Sequence, residues 1–188
     1  MENTSQSLVS IITRSMDRPT LAETLESIAA QTYPNIEVIV VNALGETHSE
    51  LGTHCGRFPL RIVGNGNHLP RSRAANLGLD SATGKYALFL DDDDWILPEH
   101  IEKLISVLSQ SRNQQVAYSG IKFASGPQST EFSVINEAFD AVKLKHGNFI
   151  PIHAVLFDRD LTKSGCRFDE SLVILRRLGF LVTAIPNE

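Results

Sequence analysis

Four consecutive carboxylates, Asp91, Asp92, Asp93 and Asp94, follow directly on an apolar run, Tyr86 to Leu90, in the stretch YALFLDDDDWILP. Like charges side by side repel, so a folded chain keeps them only where water or a counter-charge holds them. A hard divalent cation is the obvious counter-charge, because it prefers carboxylate oxygens and commonly shares them with a substrate phosphate. Five apolar residues bounded by a turn signal suit a strand buried on both faces. The carboxylates then fall at the strand's carboxyl end, where open α/β sheets bind their ligands. A local explanation competes: Pro98 opens a helical pattern, acidic residues favour the positive end of a helix, and Asp is a common N-cap. That reasoning covers Asp94 and stretches to Asp93, but not to four in a row leaving a core strand.

The elements that must position this turn alternate between strand and helix. Leu8 to Thr13 reads as a first strand, followed by a polar turn from Arg14 to Arg18. Leu21, Leu25, Ile28 and Ala29 recur at i, i+4, i+7 and i+8, one apolar face of a helix that stops at Tyr33-Pro34-Asn35. Ile36 to Val41 is a second apolar strand, so the first unit is βαβ with a right-handed crossover and a parallel sheet. The connection from Asn42 to Phe58 is polar, with room for a short helix. A short strand, Leu60 to Val63, and a helix, Pro70 to Ser81, lead to the strand before the aspartates. Pro98 to Leu108 carries a stripe of Ile101, Leu104, Ile105 and Leu108. From Val116 the texture changes: Val116 to Phe123 and Glu131 to Ile135 read as an antiparallel hairpin about Gly126-Pro127. A short helix or ordered loop (Ala138 to Lys145), a strand-like stretch (Asn148 to Phe157) and a short helix (Asp158 to Ser164) follow. Phe180 to Ile185 is a further apolar stretch of no clear type.

The 188 residues are 42% hydrophobic, enough for one domain with a full core. A formal net charge of −5 and the lack of any basic run exclude a nucleic-acid footprint. Cys55 and Cys166 match no metal spacing, which favours a reduced, cytoplasmic setting. No signal-peptide pattern opens the chain, and no apolar stretch approaches the roughly 20 residues of a membrane span. Peripheral association through a partner remains compatible with this composition.

In a parallel sheet of this order, the loops after the first, second and central strands gather along one edge. They supply Thr13, Arg14 and Ser15, then Asn42, then Asp91 to Asp94. Arg71 and Arg73 open the helix before the central strand and are within reach of the same edge, where a guanidinium pairs with phosphate through two hydrogen bonds. For each arginine a solvated helix face is the alternative, for Asn42 ordinary strand-end turn chemistry, and for His153 a hydrogen-bonded structural histidine among apolar neighbours.

The stretches VSIITRSMDRPTLAETLESIAAQTYPNIEVIVVN and PRSRAANLGLDSATGKYALFLDDDDWILPEHIEKL, in that order, resemble family 2 glycosyltransferases of the GT-A fold. NFIPIHAVLFDRDL and GCRFDESL resemble the acceptor half of that family, so the likeness runs from about Leu8 to Leu172. The resemblance implies an α/β fold with a Rossmann-like, mostly parallel sheet flanked by helices and an antiparallel addition in the C-terminal half. It implies a single domain over 1–188, with a nucleotide-sugar half to about residue 115 and an acceptor half from about 116. It implies a nucleoside-diphosphate-sugar donor, Mg²⁺ or Mn²⁺, a glycan or lipid-linked hydroxyl acceptor, and inversion at the anomeric carbon. Asp91 and Asp93 stand at the family's Asp-x-Asp positions, with Asp93 the first choice as metal ligand and Asp91 or Asp92 at the donor ribose. Arg73 matches a donor-contacting arginine, Thr13 lies where the first strand meets the base, and His153 falls on the diphosphate or acceptor side.

Two positions depart from the pattern. Ala43 stands where the family carries an acidic residue for the base, and Val173 to Phe180 lacks the Glu-Asp pair that supplies the catalytic base. The second reading is therefore a sugar-nucleotide-binding protein of the same fold without transfer activity.

Overall fold

The computed structural model describes residues 7–110, 113–124 and 132–171. The first strand, β1 (Val9–Ser15), is followed by α1 (Leu21–Ala29), β2 (Ile36–Asn42), a two-residue β3 (His54–Cys55) and β4 (Phe58–Val63). Then come α2 (Arg71–Ser81), β5 (Tyr86–Phe89) and α3 (His100–Ser109). The later part holds β6 (Val116–Tyr118), β7 (Ile121–Ala124), β8 (Phe132–Ile135) and α4 (Ala141–His146). A 3₁₀ turn (Ile152–Ala154), β9 (Val155–Asp158) and α5 (Asp160–Lys163) complete it. Seven strands form one sheet in the order β3-β4-β2-β1-β5-β9-β6. The four strands β4, β2, β1 and β5 run parallel, whereas β3 and β9 pair antiparallel with β4 and β5. Strands β7 and β8 form the expected hairpin as a separate two-stranded sheet.

Alternation along the strands sorts the core onto two faces. Val9, Ile11, Val38, Val40, Leu88 and Leu90 pack beneath α1 and α3 through Ile28, Ile101 and Leu104. Ile12, Ile39, Val41 and Phe89 pack the other way, against Ala74, Ala75 and Leu79 of α2. The small residues of α2 let it lie close. A Cβ at Gly78 would be driven into Ile12 Cγ2 and would sit 3.2 Å from Val41 Cγ2.

Several boundaries move from the sequence expectation for physical reasons. β1 runs on through Arg14 and Ser15 because Ser15 is in register with Asn42, so these two residues are strand, not turn. The connection 42–58 holds the β3 bridge and no helix. The Val116 to Phe123 stretch is two strands, one in each sheet, and Pro151 replaces the first half of the Asn148 to Phe157 strand with a 3₁₀ turn. Helix α3 begins at His100 with Glu99 at its N-cap, two residues after Pro98. Asp93 and Asp94 are therefore too far from it to serve as caps, and the local explanation for them falls. Residues 172–188, where Phe180 to Ile185 and the expected base pair would lie, are outside the described residues, as are Gly126-Pro127 and Glu131.

Replacing Gly78 by alanine should destabilise the chain by about 1–3 kcal/mol in urea unfolding, because the overpacked methyl meets a buried side chain. A wild-type midpoint would mean that α2 does not lie this close. A second expectation concerns acid. Burial, then the neighbouring His153, pushes His100 down to about 4 from an ordinary 6.5, against an opposing hydrogen bond with the His153 backbone. The unfolded chain then binds the extra proton first, so this contribution is complete above about pH 6.5 and is lost as pH falls towards 4. The loss amounts to about 3 kcal/mol. The variant His100→Gln should flatten that limb of the stability profile, and an unchanged slope would refute the assignment.

Candidate functional site

Strand order reverses between β1 and β5: from β1 the chain builds outward to β2 and β4, then crosses back through α2 to β5 on the other side. In open α/β sheets the crevice at the carboxyl ends of such a pair is the ligand edge. Here those ends carry Arg14 and Ser15 on one side and Asp91 to Asp94 on the other.

Ion pairs stitch the two sides together. Arg14 donates through Nε (2.8 Å) and through a second, shorter Nη2 contact to Asp91 Oδ1, with both side chains 9% exposed. The Arg14 guanidinium also lies 6.0 Å from the centroid of Phe89. Asp92 is buried and accepts the Met16 backbone N–H at 2.7 Å and Arg18 Nη1 at 3.2 Å. The same Arg18 nitrogen reaches Asp93 Oδ2 at 2.9 Å, and that carboxylate is half exposed. Asp94 turns back through its N–H to Asp91 O (3.1 Å), and its carbonyl accepts Thr24 Oγ1 at 2.8 Å. Ligand oxygens of Asp91, Asp93 and Asp94 lie within 4.8 Å of one another, a set of hard donors in cation-sized spacing. Arg14 takes only Oδ1 of Asp91, and Arg18 only Oδ2 of Asp93, so the ion pairs engage one oxygen of each.

Beside the carboxylates opens a cleft of about 260 Å³. Arg14, Arg18, Arg71 and His68 rim it, together with Asp91 and Asp92, and Met16, Ala43, Leu69 and Ala74 supply its apolar part. The loop after β2 is drawn over the cleft by Leu69 N–H donating to Ala43 O at 3.0 Å. Gly45, at φ +86, is required there: a Cβ would collide with the backbone of Asn67 and His68. One carboxylate after β1 does not line the cleft and is tied to a neighbouring loop instead. Asp17, at φ 56, accepts the N–H and hydroxyl of Ser49 at 2.9 and 2.8 Å, bonds that hold its carboxyl below the usual range. Ser15 Oγ sits 2.9 Å from His48 Nε2 and accepts Asp17 N–H at 3.0 Å.

The residues singled out from sequence divide accordingly. Arg14, Arg71, Asp91 and Asp92 line the cleft. Asp93 joins the carboxylate cluster, and His153 Nδ1 approaches Asp94 Oδ2 to 2.9 Å. Ser15 and Thr13 are fully buried, and Thr13 Oγ1 has no hydrogen-bond partner among the described residues. Asn42 spends its side chain on the turn, donating to Glu46 O and accepting Leu44 N–H, the alternative weighed for it. Arg73 points along α2 to Glu170 at 3.3 Å and does not line the cleft. Arg18 and His48 were not singled out, and Asp94 was read only as part of the acidic run; the spacing of Arg18, four residues after Arg14, is the one signal for a second guanidinium on this edge.

Strand order and acidic edge together define a Rossmann-like α/β protein of the GT-A fold. The chain belongs to glycosyl transferase family 2, whose family profile matches residues 9–165. An uncharacterized glycosyltransferase of Haemophilus influenzae is 32% identical over 136 residues, which is 72% of this chain and 43% of the relative. The glycosyltransferase GlyA of Streptococcus pneumoniae serotype 4 is 40% identical over 89 residues, 45% of this chain and 12% of the relative. Among solved structures, S. aureus TarS 1–349 in complex with UDP-GlcNAc superposes with a TM-score of 0.70 at 17% identity, covering 94% of this chain and 52% of that one. The mannosyltransferase PcManGT from Pyrobaculum calidifontis, in complex with GDP-Man and Mn²⁺, gives 0.60 at 16%, covering 87% and 48%. At these identities the structural likeness is one of fold. The chain thus spans less than half the length of these two sequence relatives and about half that of the two solved structures. No helix among the described residues is long and apolar enough to cross a membrane.

Truncating Arg14 to alanine should strand Asp91 as a buried, unpaired charge and cost roughly 3–5 kcal/mol, whereas the double variant Arg14→Met/Asp91→Asn should recover much of the loss. Equal stabilities for wild type and Arg14→Ala would show that Asp91 is hydrated and needs no partner.

Proposed function

We propose that this chain holds the donor in a metal-dependent, inverting transfer of a sugar from a nucleoside diphosphate to the hydroxyl of a glycan or lipid-linked acceptor. The observation that carries this reading is the placement of three carboxylates in cation spacing at the switch point, next to an arginine-rimmed cleft. Family membership and fold neighbours in complex with UDP-GlcNAc, or with GDP-Man and Mn²⁺, support it. Asp93 and Asp91 would hold the divalent ion, Mg²⁺ or Mn²⁺. When bound, such an ion neutralises charge on the departing diphosphate as a Lewis acid.

The other residues act by position. Met16, Ala43, Leu69 and Ala74 offer the nucleoside an apolar bed, and Asp92 and Arg14 bound it on the ribose side. Arg71 opens α2, whose first turn contains no acidic residue. A cation there opposes the helix dipole, and a diphosphate at the helix N-terminus would relieve that cost. Ser15 and Asn42 brace the strand ends from beneath, with Thr13 buried in β1 beside them, and Arg73 acts through Glu170. The work divides between residues 1–115, which bind the donor, and 116–188, which face the acceptor, where a base must take the hydroxyl proton.

A sugar-nucleotide-binding protein without transfer activity is the second reading. It is favoured by Ala43, which presents no carboxylate to a base at the back of the cleft.

A thermal-shift panel of UDP, GDP and dTDP and their sugars, with and without Mn²⁺, separates these ideas from an empty fold. At least one nucleotide should stabilise the chain only with metal present, by about 2.7 kcal/mol at a hundredfold excess over Kd. Asp93→Ala should abolish the shift. Metal-independent stabilisation, or none from any nucleotide, would sink the donor-site reading. Slow release of nucleoside diphosphate from the matching sugar then distinguishes a transferase from a binder.

A further inference from the structure

Residues 14 to 18 leave β1 with alternating sides. Arg14, Met16 and Arg18 line the cleft, whereas Ser15 and Asp17 do not. What engages the other two is a histidine on the loop after β2, to which the donor site gives no task. His48 Nε2 lies 2.9 Å from Ser15 Oγ, and its Nδ1 lies 2.8 Å from Ser49 O and 3.5 Å from Asp17 Oδ1. The imidazole is 3% exposed, and Ser15 is fully buried.

The direction of each bond follows from the groups themselves. A carbonyl oxygen only accepts, so Nδ1 carries the proton, and in the neutral ring Nε2 is the acceptor. The Ser15 hydroxyl therefore donates to Nε2, while its oxygen accepts the Asp17 N–H at 3.0 Å. Asp17, at φ 56, is the one non-glycine residue of positive φ among the described residues. Outside glycine, that conformation persists only where its surroundings hold it. The Asp17 carboxylate, which takes the Ser49 N–H and hydroxyl, supplies the rest of the hold.

Ser15 is also where the loop after β2 departs and returns. Its carbonyl accepts the Ala43 N–H at 2.9 Å, and its hydroxyl grips His48 five residues further on. The segment 43–48 is thus closed on a single residue of β1. Ala43 at the start of that segment and Met16 next to Ser15 both belong to the apolar part of the cleft. Breaking the Ser15–His48 bond would release the far end of the loop and the turn behind Met16 together.

We propose that His48 is a positioning residue for the nucleoside end of the cleft. Through Ser15 it fixes Met16 and Ala43 at the separation that the nucleoside occupies. The inference rests on the donor-site reading and adds to it a residue that lies outside the cleft and touches neither nucleotide nor metal.

The test measures Kd for UDP, GDP and dTDP, each with Mn²⁺, by isothermal titration calorimetry of the full chain. The unfolding midpoint of every variant is the check on folding. His48→Leu keeps the bulk and loses both ring nitrogens. It should weaken binding of the nucleotide that wild type takes by about tenfold, the worth of one hydrogen bond. Ser15→Ala removes the same bond from its other end and should weaken binding equally, and the double variant should be no weaker than either single one. His48→Gln, whose amide oxygen reaches the place of Nε2, should restore most of the affinity. If wild type binds none of the three nucleotides, the donor-site reading fails and takes this inference with it. If wild type binds and His48→Leu binds as tightly, the donor site stands and the positioning role is overturned. Additive losses in the double variant, or His48→Gln as weak as His48→Leu, would overturn it as well. Should His48→Leu fail to fold, Ser15→Ala decides alone, and wild-type affinity there refutes the role.

Discussion

A carboxylate leaves water at the edge of a sheet only when a positive group goes with it, and Arg14 meets that condition for Asp91. The effective cost of burying either ion alone is several kcal/mol. The two belong to different strands, β1 and the end of β5, which are neighbours across the point where strand order reverses. Their pairing therefore does more than neutralise charge: it sets the spacing of the two strand ends between which the cleft opens. Arg14 lies flat enough to reach the ring of Phe89, so the same side chain covers the apolar end of β5. The polar segment after β1 then closes over the turn, with Met16 N–H and Arg18 dividing Asp92 and Asp93 between them.

The acidic turn is also held from below, by a polar stripe on a helix whose sequence signal is its apolar face. Thr24 and Ser27 on α1, and Gln31 just past its C-cap, recur at i, i+3 and i+7. The Thr24 hydroxyl donates to Asp94 O, and Ser27 Oγ accepts Ile96 N–H at 3.3 Å. Gln31 donates to Leu97 O at 2.8 Å and accepts Ile101 N–H at 3.2 Å. The segment 94–101 has no regular structure until α3 begins, so its backbone groups need partners, and the helix supplies them. A turn carrying four like charges thus keeps one conformation, because its main chain is bonded on the side away from the repulsion.

Local pattern made the first half of the fold legible. Apolar periods of 3.6 and near-continuous apolar strands gave β1, α1, β2, α2, β5 and α3 to within a few residues, and the aspartates marked the edge. What escaped was decided by distant partners. Arg14 and Ser15 look like turn residues because they are polar; they are strand because Asn42 and Asp91 meet them there. Nothing local shows that Val155–Asp158 inserts antiparallel between β5 and β6, since Leu156 finds its neighbours at Leu88 and Ala117, 68 and 39 residues away. Arg73 was read with Arg71 because they are adjacent in type and number, yet two residues along a helix turn the side chain away. Arg73, Asn76 and Asp80 face the segment 167–170, where Asn76 bonds Phe168 at both backbone groups and Arg167 pairs with Asp80.

The two ends of the sheet hold buried carboxylates in opposite ways, and the contrast bears on what the acidic turn is for. At the amino end, burial pushes the Glu37 carboxyl up, but hydrogen bonds from Ser10 and Thr83 and the charge of Arg61 outweigh it and hold the group below its ordinary value. One carboxylate there meets one guanidinium and a full set of donors: Ser10 Oγ, Thr83 N–H and hydroxyl, and Gly84 N–H. It is a closed structural node. At the carboxyl end, Asp91, Asp92 and Asp93 share two guanidinium groups, Arg14 and Arg18, and His153 stands against Asp94. Hydrogen bonding fixes the backbone of that turn and leaves its carboxylates gathered at the surface of the cleft. Three carboxylates gathered within cation spacing beside a cleft are the donors that the proposed divalent ion and its diphosphate would use.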